Sequence, residues 1–238
     1  MKNAIWFICL TATIILSQGC DKEDNMDLPI DPLVVEYSFD DSSENWKAGF
    51  ADYPEGEEDF YELDFGHSML PQPLDGTNGA LMITGNNHSD DLFMFIYKRV
   101  ENLFPNSEYK VTFDMTLASD AAEDSFGVGG SPSSSVYLKA GALNFKPFVE
   151  VGDQNFNWVN FDKGNQAQDG INMMNIGNVA NGTDEFEYAL IDRGNDAPFR
   201  FTTGPDGDAW IIIGSDSGFE ATTTLYFDRI KVTFERVE

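Results

Sequence analysis

Tyr109-Lys110-Val111-Thr112-Phe113-Asp114-Met115-Thr116-Leu117 alternates apolar and polar residues without a break. A period of two is the signature of a strand with one face in a core and the other in water. Leu225, Phe227, Ile230, Val232 and Phe234 repeat it, with a slip of phase near Asp228 that predicts a bulge. Working outward, similar short runs rich in β-branched and aromatic residues occupy 33–39, 60–65, 80–84, 92–100, 136–142, 198–203 and 210–214, divided by Gly, Asn, Asp and Pro clusters. No segment holds helical periodicity over three turns. The pattern predicts an all-β fold, a single β-sandwich or jelly roll over 33–238, because many strands without helices bury their apolar faces best against each other.

Residues 119–184 break the rhythm. This stretch is rich in Gly, Asn, Asp and Ser and contains one clear strand candidate, 136–142. It reads as a long irregular insertion, and insertions of that length in a compact domain are usually functional or mobile.

The N-terminal 19 residues read as a secretory signal, with Lys2 as the positive end and an apolar run from Ala4 to Leu16. That run is too short for a membrane span, which needs roughly 20 residues. Ser17-Gln18-Gly19-Cys20 resembles the lipobox of bacterial lipoproteins, with the expected Leu displaced to position 16. The resemblance implies cleavage before Cys20 and acylation of its sulfur, and two or three acyl chains give stable anchoring. Asp21-Lys22-Glu23-Asp24 resembles the export signal of Bacteroidota lipoproteins, which implies an outer-membrane, surface-exposed location. Residues 20–32, acidic and holding Pro29 and Pro32, read as a tether.

With Cys9 inside the signal and Cys20 acylated, the globular part has no disulfide and depends on its core. The chain carries 14 Lys and Arg against 41 Asp and Glu, a formal charge of −27. Such a field repels phosphate backbones and excludes nucleic acid as a partner.

Three segments are similar to carbohydrate-binding modules of the galactose-binding-like β-sandwich class. Tyr37-Ser38-Phe39-Asp40 through Trp46 resembles their opening motif, Val100 to Phe113, with Leu103, Pro105 and Tyr109, resembles their middle hairpin, and Leu225 to Thr233, with Asp228, resembles their closing strand. The resemblance implies a glycan ligand and a structural Ca²⁺ at Asp40 or Asp41 and Asp228, since calcium takes six to eight hard oxygens. Ligand binding in such modules implies aromatic faces with Asn, Asp and Gln reaching hydroxyls. Trp46 and Trp158 are the aromatic candidates, and Asn86, Asn87, Asp90, Asp162, Asn165, Gln166 and Asp216 are the polar ones, lying in loops that follow strand candidates. Trp210, flanked by Ile211, Ile212 and Ile213, reads as core.

No catalytic residues are assigned. Gly127-Val128-Gly129-Gly130 ends in Ser131-Pro132 and opens no helix, so it fails as a phosphate loop. Gly214-Ser215-Asp216-Ser217-Gly218 lacks the Gly two before Ser217 that a nucleophile elbow requires. The alternatives to a glycan binder are an adhesive, Ca²⁺-stabilised surface protein and a glycosidase. The last would need two carboxylates about 5 to 10 Å apart across a cleft.

Overall fold

The computed structural model describes residues 31–237, and in it the alternating segments become strands. They are β1 (Leu33–Ser38), β2 (Lys47–Ala51), β3 (Asp64–Met69), β4 (Gly79–Asn86), β5 (Leu92–Val100), β6 (Glu108–Ser119), β7 (Val136–Leu143), β8 (Val149–Val151), β9 (Asn157–Val159), β10 (Met173–Asn178), β11 (Ala189–Gly194), β12 (Phe199–Thr202), β13 (Ala209–Ser217) and β14 (Thr222–Arg236). A 3-10 turn at Asp153–Asn155 is the one helical element among the described residues. The signal segment, Cys20 and most of the tether lie outside them.

One sheet runs β11-β6-β14-β4-β3, with β12 also paired to β6 and β1 also paired to β14; the other runs β10-β7-β13-β5-β2. The fold is therefore an all-β sandwich, as the alternation demands. The phase slip at Asp228 has a concrete role. Residues Thr222 to Phe227 of β14 pair with β4 and Arg229 to Phe234 pair with β1, while the register against β6 shifts between Phe227 and Arg229. The bulge is where the strand exchanges partners along one edge.

The core lies between the sheets. Tyr109, Val111, Phe113, Met115 and Leu117 of β6 are fully buried there against Leu92, Met94 and Ile96 of β5 and Ile211 and Ile213 of β13. The Tyr109 hydroxyl accepts a hydrogen bond from the Phe104 amide at 2.8 Å, which satisfies its polar end and closes the β5–β6 connection.

Trp46 joins this core at 1% exposure, edge-on to Tyr37 at 5.4 Å and to Phe39 at 6.4 Å. That corrects its reading as a sugar-stacking residue, because the ring has no free face. The expected strand at 60–65 begins only at Asp64. Before it the chain winds through turns, with the Tyr61 amide donating to the Glu57 carbonyl, and Phe60 stacks on His88 at 4.1 Å. Strands β2, β8, β9, β10 and β11 had no sequence prediction, being short or interrupted by Gly, Asn and Asp, and they form because the sheets supply partners.

Part of the insertion becomes a roof. Residues 144–172 leave β7, form the β8–β9 hairpin and lie over the outer face of the five-stranded sheet, with Val149, Val159 and Phe161 packed on Phe93, Phe95 and Ile212. Phe161 meets Phe95 edge-on at 5.5 Å. The roof is also tied to the turn after β2, where the Asp52 amide donates to the Asn157 carbonyl and the Asn157 amide to the Tyr53 carbonyl.

Candidate functional site

In the five-stranded sheet the strand period sends alternate side chains outward. Phe93, Phe95 and Tyr97 leave β5 on that side, Trp210, Ile212 and Asp216 leave β13, and Lys47 and Ala51 leave β2, and the apolar ones among them pack into a second cluster outside the main core. Gly49 of β2 sits among them because a Cβ there would lie 2.3 Å from the Phe95 ring. The outer face is thus apolar, and it carries all the aromatics of β5, while Leu92, Met94 and Ile96 on the other side fill the main core.

The roof closes one end of this face over a buried charge cluster. Lys163 of the roof places Nζ 2.8 Å from Asp216 Oδ2 and 3.0 Å from Asp52 Oδ2, and Lys139 of β7 places Nζ 3.5 Å from Asp216 Oδ2. Lys139 Nζ also donates to the carbonyls of Lys163 and Gln168. Asp91 completes the set, since its carboxylate and those of Asp52 and Asp216 present oxygens within 4.8 Å of one another. Burial is the main force pushing Asp91 up to about 7, with the Asp52 and Asp216 charges adding to it and Lys163 opposing it. Asp52 is raised by burial as well. Burial penalises both ammonium groups. For Lys163 the carboxylates of Asp216 and Asp52 outweigh that penalty and hold its pKa high, whereas Lys139 is lowered. Asp91 Oδ1 and Asp216 Oδ1 have no other hydrogen-bond partner, and a proton held on Asp91 supplies a donor to Asp216. With a proton on Asp91, the three carboxyl groups and two ammoniums balance in formal charge. The Lys163 ammonium stands among the carboxylates, and Asp52, Asp91 and Lys163 also border the cleft that Trp158 lines.

The other end of the face is open. Tyr97 and Trp210, both half-buried with ring centroids 6.0 Å apart, form the floor of a trough of about 350 Å³. Lys47, Lys98, Arg99 and Lys146 stand around them. Lys47 is directly opposite Tyr97 in the β2–β5 pairing, Arg99 is opposite Trp210 in the β5–β13 pairing, and Lys146 opens the roof segment. Arg99 is braced by Asp208 at 2.6 Å and Glu101 at 3.0 Å. Lys98 donates to the Glu44 carbonyl and lies over the Tyr37 ring. Adjacent aromatic faces with hydrogen-bond donors around them can hold a pyranose ring by its apolar face and hydroxyls.

The residues expected from the sequence distribute unevenly. Trp158, 46% exposed, lines a second cleft of about 320 Å³ with Asp162 and Asn165, at the roofed end. Its indole also lies on Gly152 and on Phe156 at 5.2 Å, which occupies part of its surface. Gln166 is beside this cleft, donating its amide to Asp216 and its side chain to the Asp90 carbonyl. Asp162 accepts from the amides of Gly164 and Ile171, which lower its pKa and shape the loop. Asp216 is fully buried in the charge cluster, which corrects its placement among ligand contacts: its charge is spent on Lys163. Asn87 is corrected likewise, being 1% exposed with its amide clamped to the carbonyls of Ser217 and Phe219. Asn86 donates to Glu62, just before the start of β3. Trp210 lies outside the main core, contrary to the reading from its isoleucine neighbours. Tyr97, Lys47, Lys98, Arg99 and Lys146 were missed, and the polar close of β5, Tyr97-Lys98-Arg99, was the one signal for them.

At the opposite sheet, Asp40 follows β1 and Asp228 occupies the β14 bulge. Burial raises the Asp228 carboxyl, and the negative charge of Asp40 raises it further. The carbonyls of Phe39 and Asp40 crowd the same corner, the first accepting from His67 Nε2 at 2.7 Å, and a Cβ on Gly79 would meet both. Carboxylate and carbonyl oxygens are the donor types that calcium takes. Asp41 is exposed beside them.

No family model matches the chain, and no curated protein matches it. Among solved structures, the K1 cleaved adhesin domain of Lys-gingipain from Porphyromonas gingivalis W83 is similar at a TM-score of 0.40 and 13% identity, covering 84% of this chain and 97% of that one. The CBM22-1 xylan-binding domain of Xyn10C from Paenibacillus barcinonensis gives 0.40 and 9%, covering 87% and 98%. TmCBM61, solved with β-1,4-galactotriose, gives 0.34 and 8%, covering 80% and 89%. At these scores the ligands named are properties of those proteins alone.

Proposed function

We propose that this protein is a carbohydrate-binding β-sandwich whose site is the open trough on the five-stranded sheet. The observation that carries the reading is the half-exposed pair Tyr97 and Trp210 on an outer face whose remaining aromatics are roofed over. An apolar floor left uncovered, ringed by donors, suits a ligand with apolar ring faces and many hydroxyls. The Trp158 cleft is the second reading, favoured by the exposure of that indole beside Asp162 and Asn165.

The test is binding to a broad glycan array followed by Trp210→Ala, Tyr97→Ala and Trp158→Ala. Loss of binding in the first two variants supports the trough, loss in the third alone moves the site to the roof, and silence across the array with folded protein rejects a glycan ligand. The lipobox-like Ser17 to Cys20 and the acidic Asp21 to Asp24 support a lipid anchor at Cys20 in the outer membrane with the sandwich facing outward. Cys20→Ala then releases the protein from membranes, and protease added to intact cells removes the wild-type sandwich. A structural calcium at Asp40, Asp41 and Asp228 belongs to the same reading, where it would relieve the repulsion at that corner.

A further inference from the structure

The lining of the trough contradicts the charge of the molecule. The chain has 41 Asp and Glu against 14 Lys and Arg, yet four of the side chains around Tyr97 and Trp210 are cationic and no carboxylate lines the trough. We infer that the ligand of this site is an anionic glycan, one whose sugar units carry carboxylate or sulfate groups. The inference rests on the glycan-binding reading and narrows it.

The four cations are not equivalent. Arg99 is already neutralised by Asp208 and Glu101, and the Lys98 ammonium is engaged by the Glu44 carbonyl. Lys47 and Lys146 make no ion pair among the described residues. They stand on different elements, the edge strand β2 and the start of the roof, with the aromatic floor between them. What sets these two lysines apart is their place, since both line the trough beside half-exposed aromatic rings and no carboxylate lines it with them. A sugar ring seated on Tyr97 and Trp210 would bring its anionic substituent toward these two free ammoniums. Ammonium is a point charge with rotatable donors, so it accepts carboxylate or sulfate without the planar fork that would select between them.

The opposing signs predict an unusual salt dependence. At about 0.01 M salt the screening length is roughly 30 Å and the acidic surface of the whole molecule repels a polyanion; at physiological salt it shrinks to about 8 Å and the local lysines dominate; at 1 M, near 3 Å, they too are screened. Affinity is therefore expected to peak at intermediate salt, where a neutral glycan would show no peak.

The experiment is calorimetry with polygalacturonate, chondroitin sulfate and neutral xylan and galactan, on the wild type and on Lys47→Gln/Lys146→Gln. Two lost charge-assisted contacts correspond to a loss of about tenfold or more for the polyanions, with unchanged melting temperature. Which polyanion binds separates the carboxylate from the sulfate source. Equal or stronger binding of neutral glycans that ignores the double variant overturns the anionic inference and leaves the glycan reading standing. No binding to any of these or to the array overturns both.

Discussion

Asp91 sits among Asp52 from the turn after β2, Asp216 from β13, Lys139 from β7 and Lys163 from the roof, and burial there pushes its carboxyl up to about 7. An unfolded Asp titrates near 3.9, so the folded state holds a proton that the unfolded state has released. The stabilisation this gives is fully present below about pH 4 and is lost as pH rises through 7. Asp91→Asn keeps the donor and removes the charge. Thermal unfolding from pH 4 to 8 is expected to show the wild type losing stability relative to the variant across that interval, with the variant the more stable at pH 8. Trp46 belongs to the same scale. Trp46→Ala empties a filled core site and should cost about 3–5 kcal/mol in denaturant unfolding, whereas Trp210→Ala at the half-exposed trough should cost far less while abolishing binding. Stability and binding thus separate two tryptophans that look alike in sequence.

The roof, residues 144–172, is held by the Phe161 contact, by backbone hydrogen bonds to the turn after β2 and by Lys163. Lys163→Met removes one partner of a buried network and leaves Asp52 and Asp216 facing each other, which costs about 3–5 kcal/mol. The damage should be local first: amide hydrogen exchange is expected to rise across 144–172 before it rises in β5, β6 or β13. Uniform protection in the variant would show that the apolar contacts alone hold the roof. Gly49→Ala tests the sheet beneath, because the new Cβ would meet the Phe95 ring at 2.3 Å. Overpacking of that kind costs about 1–3 kcal/mol, read as a shift in the denaturation midpoint.

At the scale of the molecule, Asp228 does two jobs in one place. Its bulge lets β14 pair with β4 on one side and β1 on the other, and its carboxyl is raised by burial and by the charge of Asp40, which follows β1. A calcium ion bound there would join the first and last strands. Added calcium is expected to raise the melting temperature of the wild type and leave that of Asp228→Asn unmoved; equal responses would assign any effect to general screening of the −27 charge. Magnesium at equal ionic strength is the control, since it takes a stricter octahedral shell.

Alternation along β6 and β14 was enough to establish strands, their buried faces, the sandwich class and the bulge at Asp228, because a period of two is a local property that each strand displays by itself. The acidic balance and the lipobox-like segment are equally local. The site is not. Phe93, Phe95 and Tyr97 are consecutive outward residues of one strand, and nothing in their spacing tells which are roofed by a segment some 60 residues away and which lie open. Trp46 and Trp210 exchange their expected roles for the same reason: burial is decided by what the rest of the chain lays over a residue. Asp52, Asp91, Lys139, Lys163 and Asp216 are dispersed along the sequence as ordinary charges. Only tertiary structure brings them into one cluster, and only there does the loss of water make them a latch.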